Sequence, residues 1–400
     1  MSLLPESRKF RRFWVARVVS FGGAQVAQVA LVVLAAGRGP GAVSFVLLAL
    51  SVPRLIGPLA GALADLVDTK RIMVVSEVGQ ACLFGVVAVA PFRVGVDVPL
   101  VAVATVLNTV FLPAGRSSIP RMVAPGDLPR AFAAMAMCFN IGYAAGPLVG
   151  GALLAVLDPR LVLAVDVAAL GGSVVLLLGL RLPAARREED AVRVGYWATL
   201  RAGLTVVIRD PRLRLVSLGL FFTVAFASLS TAALVFVATT TLRGPTWLYG
   251  VLMSAYGVGM IAGPAVFLSR WGHAADPLRV WRRGQFMFGA GTTVVGAVPW
   301  VGAVLPAQLV AGAGNGVENV ATDLLIQESA PARLLGTISS VTIAVPFLAN
   351  TLAYSAAPPL LHAGGPRVTM LVAGLGVLTV STLIALLLAA KSPAVEALSS

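Results

Sequence analysis

Charge is scarce in this chain. Of its 400 residues only 17 are acidic and 30 basic, 12% in all, about half of the roughly 25% found in soluble globular domains. A water-facing surface cannot be covered by so few ions, which excludes a soluble protein. Cysteine is limited to Cys82 and Cys138, both inside apolar runs, so a disulfide framework is excluded. The two histidines, His273 and His362, fall in loops expected on opposite membrane faces. No convergent His/Asp or Ser/His set can form from them, so neither a metal site nor a membrane enzyme is expected. A Gly-x-x-x-x-Gly-Lys-[Ser/Thr] run is missing too, which excludes an ATPase. Lysine occurs three times against 27 arginines. That bias, with abundant Ala, Val and Gly, fits a GC-rich bacterial genome. Basic clusters interleaved with aromatics are lacking, so the net charge of +13 does not point to nucleic acid.

What the chain has in excess is apolar length: 58% hydrophobic residues and a mean hydropathy of +0.92. A membrane-crossing helix needs about 20 apolar residues. Twelve stretches answer that description, at 13–36, 42–64, 72–92, 98–115, 131–156, 160–180, 214–241, 247–269, 284–301, 303–325, 336–361 and 367–390. The first follows a basic start (Arg8, Lys9, Arg11, Arg12) and runs on without a small-residue cleavage site, so it reads as a span rather than a signal peptide. The longest polar gap holds Arg186-Arg187-Glu188-Glu189-Asp190 and divides the spans six and six. Within it Leu200, Leu204 and Val207 share a helical face, as an amphipathic surface helix requires. The expected fold is an all-α integral membrane protein: a bundle over 1–181, a cytoplasmic loop over 182–213, and a second bundle over 214–400.

Orientation follows from the arginines. If the termini and the loops after even-numbered spans share one side, that side collects 23 of the 30 Lys and Arg. The positive-inside rule puts it, and both termini, in the cytoplasm. The expected location is a bacterial inner membrane. The halves also echo each other at an offset of 206 residues: Gly57-Pro58 against Gly263-Pro264, and Pro125-Gly-Asp-Leu128 against Pro331-Ala-Arg-Leu334. Both matches fall at equivalent topological places, as a six-plus-six duplication demands, with substrate bound between the halves.

Two segments carry the chemistry. Gly61-Ala-Leu-Ala-Asp65-Leu-Val-Asp68-Thr-Lys70-Arg71 lies between the second and third spans, and Gly142-Tyr-Ala-Ala-Gly146-Pro147-Leu-Val-Gly150-Gly151 lies inside the fifth. Glycines four apart stack on one face and let another backbone approach, and Pro147 frees a carbonyl. The chain resembles the major facilitator superfamily over nearly its whole length: the first segment is similar to that superfamily's cytoplasmic signature, the second to the fifth-span signature of its drug–proton antiporters. Pro113 to Pro120 and Leu200 to Leu213 are similar to the macrolide-efflux and enterobactin-exporter-like branch. The resemblance implies the major facilitator fold, proton-driven export of a small amphiphilic molecule by alternating access, and no cofactor beyond the proton gradient. It implies a cytoplasmic gate at Gly61, Asp65, Asp68, Lys70 and Arg71, with Asp65 latching one state by pairing with Lys70 or Arg71. It also implies an antiporter kink at Gly142, Gly146, Pro147, Gly150 and Gly151. There are departures: Leu66 and Asp68 replace the usual Arg and Gly, the arginine typical of the fourth span is missing, and Trp271 stands opposite Asp65 in the second half.

Ionisable residues inside spans are costly and are functional candidates. Glu318, flanked by Asn315 and Asn319, is the leading proton-coupling group, with Asp166 the next choice. Arg54 sits eleven residues before Asp65, about 16 Å along the helix, where Glu318 is a candidate partner. Asp323 is a candidate gate residue; Arg17 and Glu77 are expected to snorkel to the cytoplasmic surface. Gln25, Gln28 and Asn140 are expected to line the cavity. Partners are the transported molecule and membrane lipid, and a monomer is expected. An importer and a transport-inactive sensor are the alternatives.

Overall fold

The computed structural model describes residues 5–57, 60, 67–180, 205, 208–209, 211–271, 276–329 and 335–389. Every regular element among them is helical. In chain order the α-helices are α1 (Arg8–Ala36), α2 (Pro40–Ser51), α3 (Thr69–Val89), α4 (Val94–Ser118), α5 (Leu128–Leu154), α6 (Pro159–Leu178), α7 (Pro211–Phe236), α8 (Trp247–Trp271), α9 (Pro277–Ala297), α10 (Val301–Ser329) and α11 (Leu335–Ala389). Eight stretches among the described residues are long and apolar enough to cross a membrane. Neither α9, with Arg279, Arg282 and Arg283 in its first turns, nor α10, whose apolar run is diluted by Gln308, Asn315 and Glu318, is among them.

Local chemistry sets the helix ends. Ser7, Asp68, Asp158 and Asp276 each accept a backbone N–H at the start of α1, α3, α6 and α9, satisfying one donor that a first turn leaves orphaned. Pro159 and Pro277 follow two of these caps, where a missing N–H costs nothing. The stretch expected at 42–64 is α-helical only to Ser51; Val52–Ile56, with Pro53 in it, tightens to a 3₁₀ turn. The stretches expected at 336–361 and 367–390 form one element broken at Gly365, whose φ of 71° lies in the left-handed region that glycine tolerates.

Two compact units emerge. The first comprises Met1–Arg193 with Gly244–Ser254, the second Val194–Arg243 with Ala255–Ser400. In the first, α1 packs on α5, α6 and α2, while α3 packs on α4 and α6. Phe10, Phe13, Met73, Phe111, Ile119 and Leu177 close one end of it. In the second, α7 packs on α11, and α9 lies against both α10 and α11. There α8 and α10 approach backbone to backbone: a Cβ at Gly259 or Gly263 would strike the main chain of Leu309 or Ala313, and one at Gly312 or Gly316 that of Tyr256 or Met260. Small residues four apart permit this closeness, which is the main source of helix attraction where lipid is as apolar as leucine.

Candidate functional site

In the second unit the charged centre is Glu318. Gly284 and Gly314 let α9 and α10 come so close that a Cβ at Gly284 would stand 2.7 Å from the Gly314 carbonyl oxygen and 2.8 Å from the Glu318 nitrogen. That approach sets Gln285 beside Glu318. Gln285 Nε2 donates to Thr223 Oγ1 at 2.7 Å and to Glu318 Oε1 at 3.4 Å. Glu318 is 1% exposed, and its Oε2 has no hydrogen-bond partner among the described residues. The carboxyl thus faces neutral amide and hydroxyl groups. Such surroundings accept either protonation state and favour the neutral one, since a buried charge without a counter-ion is expensive.

Arg54, the expected partner, is exposed on the 3₁₀ turn after α2 and forms no ion pair among the described residues. Asp323 is exposed, and Asn319 donates to Asn315 at 3.2 Å, one turn earlier on α10. The group that completes the Glu318 site, Gln285, was legible as a lone amide in an expected span, but nothing in the sequence marked it as Glu318's neighbour.

The first unit holds its own charged cluster. Arg17 on α1 and Glu77 on α3 do not snorkel: they are 2% and 0% exposed, and Arg17 Nη1 lies 3.7 Å from Glu77 Oε1. The Arg17 guanidinium also sits 4.3 Å above the Phe111 ring of α4, a cation–π contact strengthened by exclusion of water. Asp166 on α6 is 1% exposed, and neither of its oxygens meets a donor among the described residues. Where the typical fourth-span arginine is missing, α4 offers Asn108, which donates to Gln80 of α3 at 3.3 Å.

The glycines of the fifth-span segment divide between two neighbours. Gly142, Gly146 and Gly150 face α1, where a Cβ would press on Phe21, Gln25 and Val29 respectively. Only Gly151 meets the start of α8, where a Cβ would stand 2.8 Å from the Trp247 carbonyl oxygen. Gly250 answers it: a Cβ there would reach the Pro147 carbonyl oxygen and the Gly151 Cα at 2.5 Å each. Gly146 thus packs on α1, while the Pro147 carbonyl and Gly151 meet the start of α8; glycines four apart share a face, and the next residue turns about 100° away. Gln25 is buried under Gly146, Gln28 is half-buried, and Asn140 is exposed one turn before Tyr143. Phe21 makes edge contacts with Phe139 and Tyr143, at centroid distances of 4.8 and 5.3 Å.

Of the cytoplasmic segment, Gly61 and Asp65 lie outside the described residues. Asp68 caps α3 by accepting from the Arg71 N–H at 2.9 Å. Lys70 Nζ donates to the Leu178 and Leu180 carbonyl oxygens at 2.8 and 2.7 Å, tying α3 to the end of α6. Arg71 is exposed.

Residues 13–354 match the Major Facilitator Superfamily. The multidrug efflux pump Tap of Mycolicibacterium fortuitum is 28% identical over 358 residues, 84% of each chain. An uncharacterized MFS-type transporter, YfiS of Bacillus subtilis, is 23% identical over 314 residues, 75% of this chain and 74% of its own. Among solved structures, the nucleoside transporter NupG superposes with a TM-score of 0.76 at 12% identity, covering 94% of this chain and 98% of that one. A bacterial homologue of the iron transporter ferroportin does so with a TM-score of 0.71 at 15% identity, covering 94% and 98%. These relatives are transporters rather than enzymes, and the family match, over residues 13–354, spans the buried Glu318 and the glycine-lined α5. The chain is a multi-pass membrane transporter and belongs to the major facilitator superfamily.

Proposed function

We propose that this transporter is an exporter, moving a small amphiphilic molecule outward across a bacterial cytoplasmic membrane in exchange for protons. The reading takes twelve spans in two six-helix bundles, over 1–181 and 214–400, joined by 182–213, with both termini cytoplasmic. The concentration of arginine on one side supports that topology. The drug-efflux relatives support the outward direction.

The observation that carries the proton-coupled part is Glu318, buried with Gln285 and Thr223 as its polar neighbours. Burying a carboxylate charged costs several kcal/mol more than burying it neutral. Proton binding therefore changes which packing of the transporter is favoured, and a proton gradient is enough to drive the cycle without a nucleotide or metal. Few charges, several amides (Gln25, Gln28, Asn140, Asn315, Asn319) and the aromatic group at Phe21 suit an amphiphilic cargo better than a sugar or phosphate. Asp65, with Arg71 near it in sequence, serves as the cytoplasmic latch in this reading, and the protein acts as a monomer.

The test is transport of a fluorescent amphiphilic dye in proteoliposomes with the proton gradient imposed in each direction. Wild type should export against an inward proton gradient. Glu318→Gln, which mimics the neutral form, should lose gradient-driven export and keep dye counterflow. Uptake in place of export would make the protein an importer. Failure of counterflow across a broad dye panel would make it a sensor. Gradient-driven export by Glu318→Gln would remove Glu318 from the mechanism.

A further inference from the structure

The charges buried where α1, α3 and α6 meet do not balance. Arg17 brings one positive charge from α1; Glu77 from α3 and Asp166 from α6 bring two carboxyls. These three helices pack mutually, α6 lying against both α1 and α3. Of the other residues near the cluster, α5 contributes Cys138, close enough to sense Arg17, and α4 contributes the Phe111 ring under the guanidinium. Ser20 on α1 and Ser173 on α6 are buried hydroxyls on the same helices, and neither Glu77 oxygen makes a hydrogen bond. No second cation faces the cluster among the described residues.

The two carboxyls are placed differently. Glu77 has Arg17 at 3.7 Å. Asp166 has no cation within ion-pair distance among the described residues and has Glu77 as a like charge nearby; as at Glu77, neither of its oxygens meets a hydrogen-bond donor. Its Oδ1 is pressed against α1, where a Cβ at Gly23 would stand 2.6 Å away. With both carboxyls ionised, a net negative charge would be sealed among apolar helices. One cation can hold one carboxylate, and the second must then carry a proton.

We propose that Arg17, Glu77 and Asp166 form a single-proton site of the first unit, with Glu77 ionised against Arg17 and the proton on Asp166. Loss of the proton leaves an uncompensated negative charge, which favours an arrangement of α1, α3 and α6 that admits water or a cation. The site is separate from Glu318 and stands whether or not Glu318 couples transport. Among the described residues the transporter then holds two buried proton sites, one in each unit.

Infrared difference spectra between neutral and strongly alkaline buffer test this on the purified, lipid-reconstituted full chain. The parent is Glu318→Gln, so that Glu318 contributes no acid band. Biosynthetic carbon-13 labelling of aspartate carboxyls distinguishes Asp from Glu. The parent should show one protonated-acid C=O band at neutral pH that shifts with the aspartate label. Asp166→Asn, nearly the same shape, should abolish it. Glu77→Gln should abolish it too, because Asp166 is then the only carboxylate available to balance Arg17. Absence of a label-sensitive band in the parent overturns the proposal without any further variant. Survival of the band in Glu77→Gln also overturns it, since Asp166 would then be neutral through burial alone and not through charge balance with Glu77 and Arg17.

Discussion

Substituting Gly151 by alanine probes the closest backbone approach of α5. A Cβ at this position would stand 2.8 Å from the Trp247 carbonyl oxygen and 3.0 Å from the Gly250 Cα. Comfortable carbon–oxygen contacts lie at about 3.3–3.6 Å, so the helices must part by about half an ångström. Both obstructing atoms belong to the main chain, so no rotamer change relieves the clash. Overpacking of this kind costs about 1–3 kcal/mol. The cost falls on the conformation in which α5 touches the start of α8, and in a two-state cycle that changes its population by about 5–150-fold. Gly171 on α6 is the control: nothing lies within 4 Å of a Cβ there, so alanine should leave stability unchanged or raise it slightly. The assays are dye efflux from proteoliposomes and thermal stability by fluorescence-detected size exclusion. Gly151→Ala should remain membrane-inserted and monodisperse while efflux falls at least about fivefold. Efflux and melting equal to those of Gly171→Ala would refute the reasoning, because the contact would then have no conformational consequence.

Gly146→Val should disturb the α1–α5 contact instead, through the Gln25 side chain, and a milder loss of efflux than with Gly151→Val is expected in the same assay. Arg17→Met strands Glu77 beside Asp166 and should cost about 3–5 kcal/mol, read as loss of monodisperse protein. Glu77→Gln in the same chain should restore it. Asp68→Ala removes the cap on the Arg71 N–H, worth about 1 kcal/mol, and should lower the melting temperature without changing dye affinity. Asp65→Asn should keep substrate binding and slow turnover if Asp65 latches one conformational state; wild-type turnover would reduce that loop to a topogenic role.

Much of the architecture was legible because membrane helices write their length directly into the sequence. Helix α3 starts where Asp68 can cap it, and α6 and α9 start where an Asp-Pro pair allows. Hydropathy gives 42–64 as one apolar stretch, yet Pro53 sits where the helix tightens to a 3₁₀ turn, and Arg54 on that turn is exposed. Hydropathy averages over such a turn and does not see it. Arg17 and Glu77 are buried rather than snorkelling for a related reason. Distance from a span's end predicts snorkelling, but whether a charge reaches water depends on the neighbouring helices, here the Phe10, Phe13 and Phe111 cluster that closes that end.

By itself the sequence determined the class of molecule, the helical composition, the family and two of the buried acids, Glu318 and Asp166, but not Glu77. Those follow from composition, periodicity and residue type, which act locally along the chain. Which groups meet was decided only by the tertiary structure. Gln285 reaches Glu318 because Gly284 and Gly314 let two backbones close, and Gly151 rather than Gly146 finds α8 because one residue's rotation selects the face. A partner 33 positions away on another helix leaves no periodic trace in the sequence. It is fixed by which helices pack side by side, and by how near their small residues let them come.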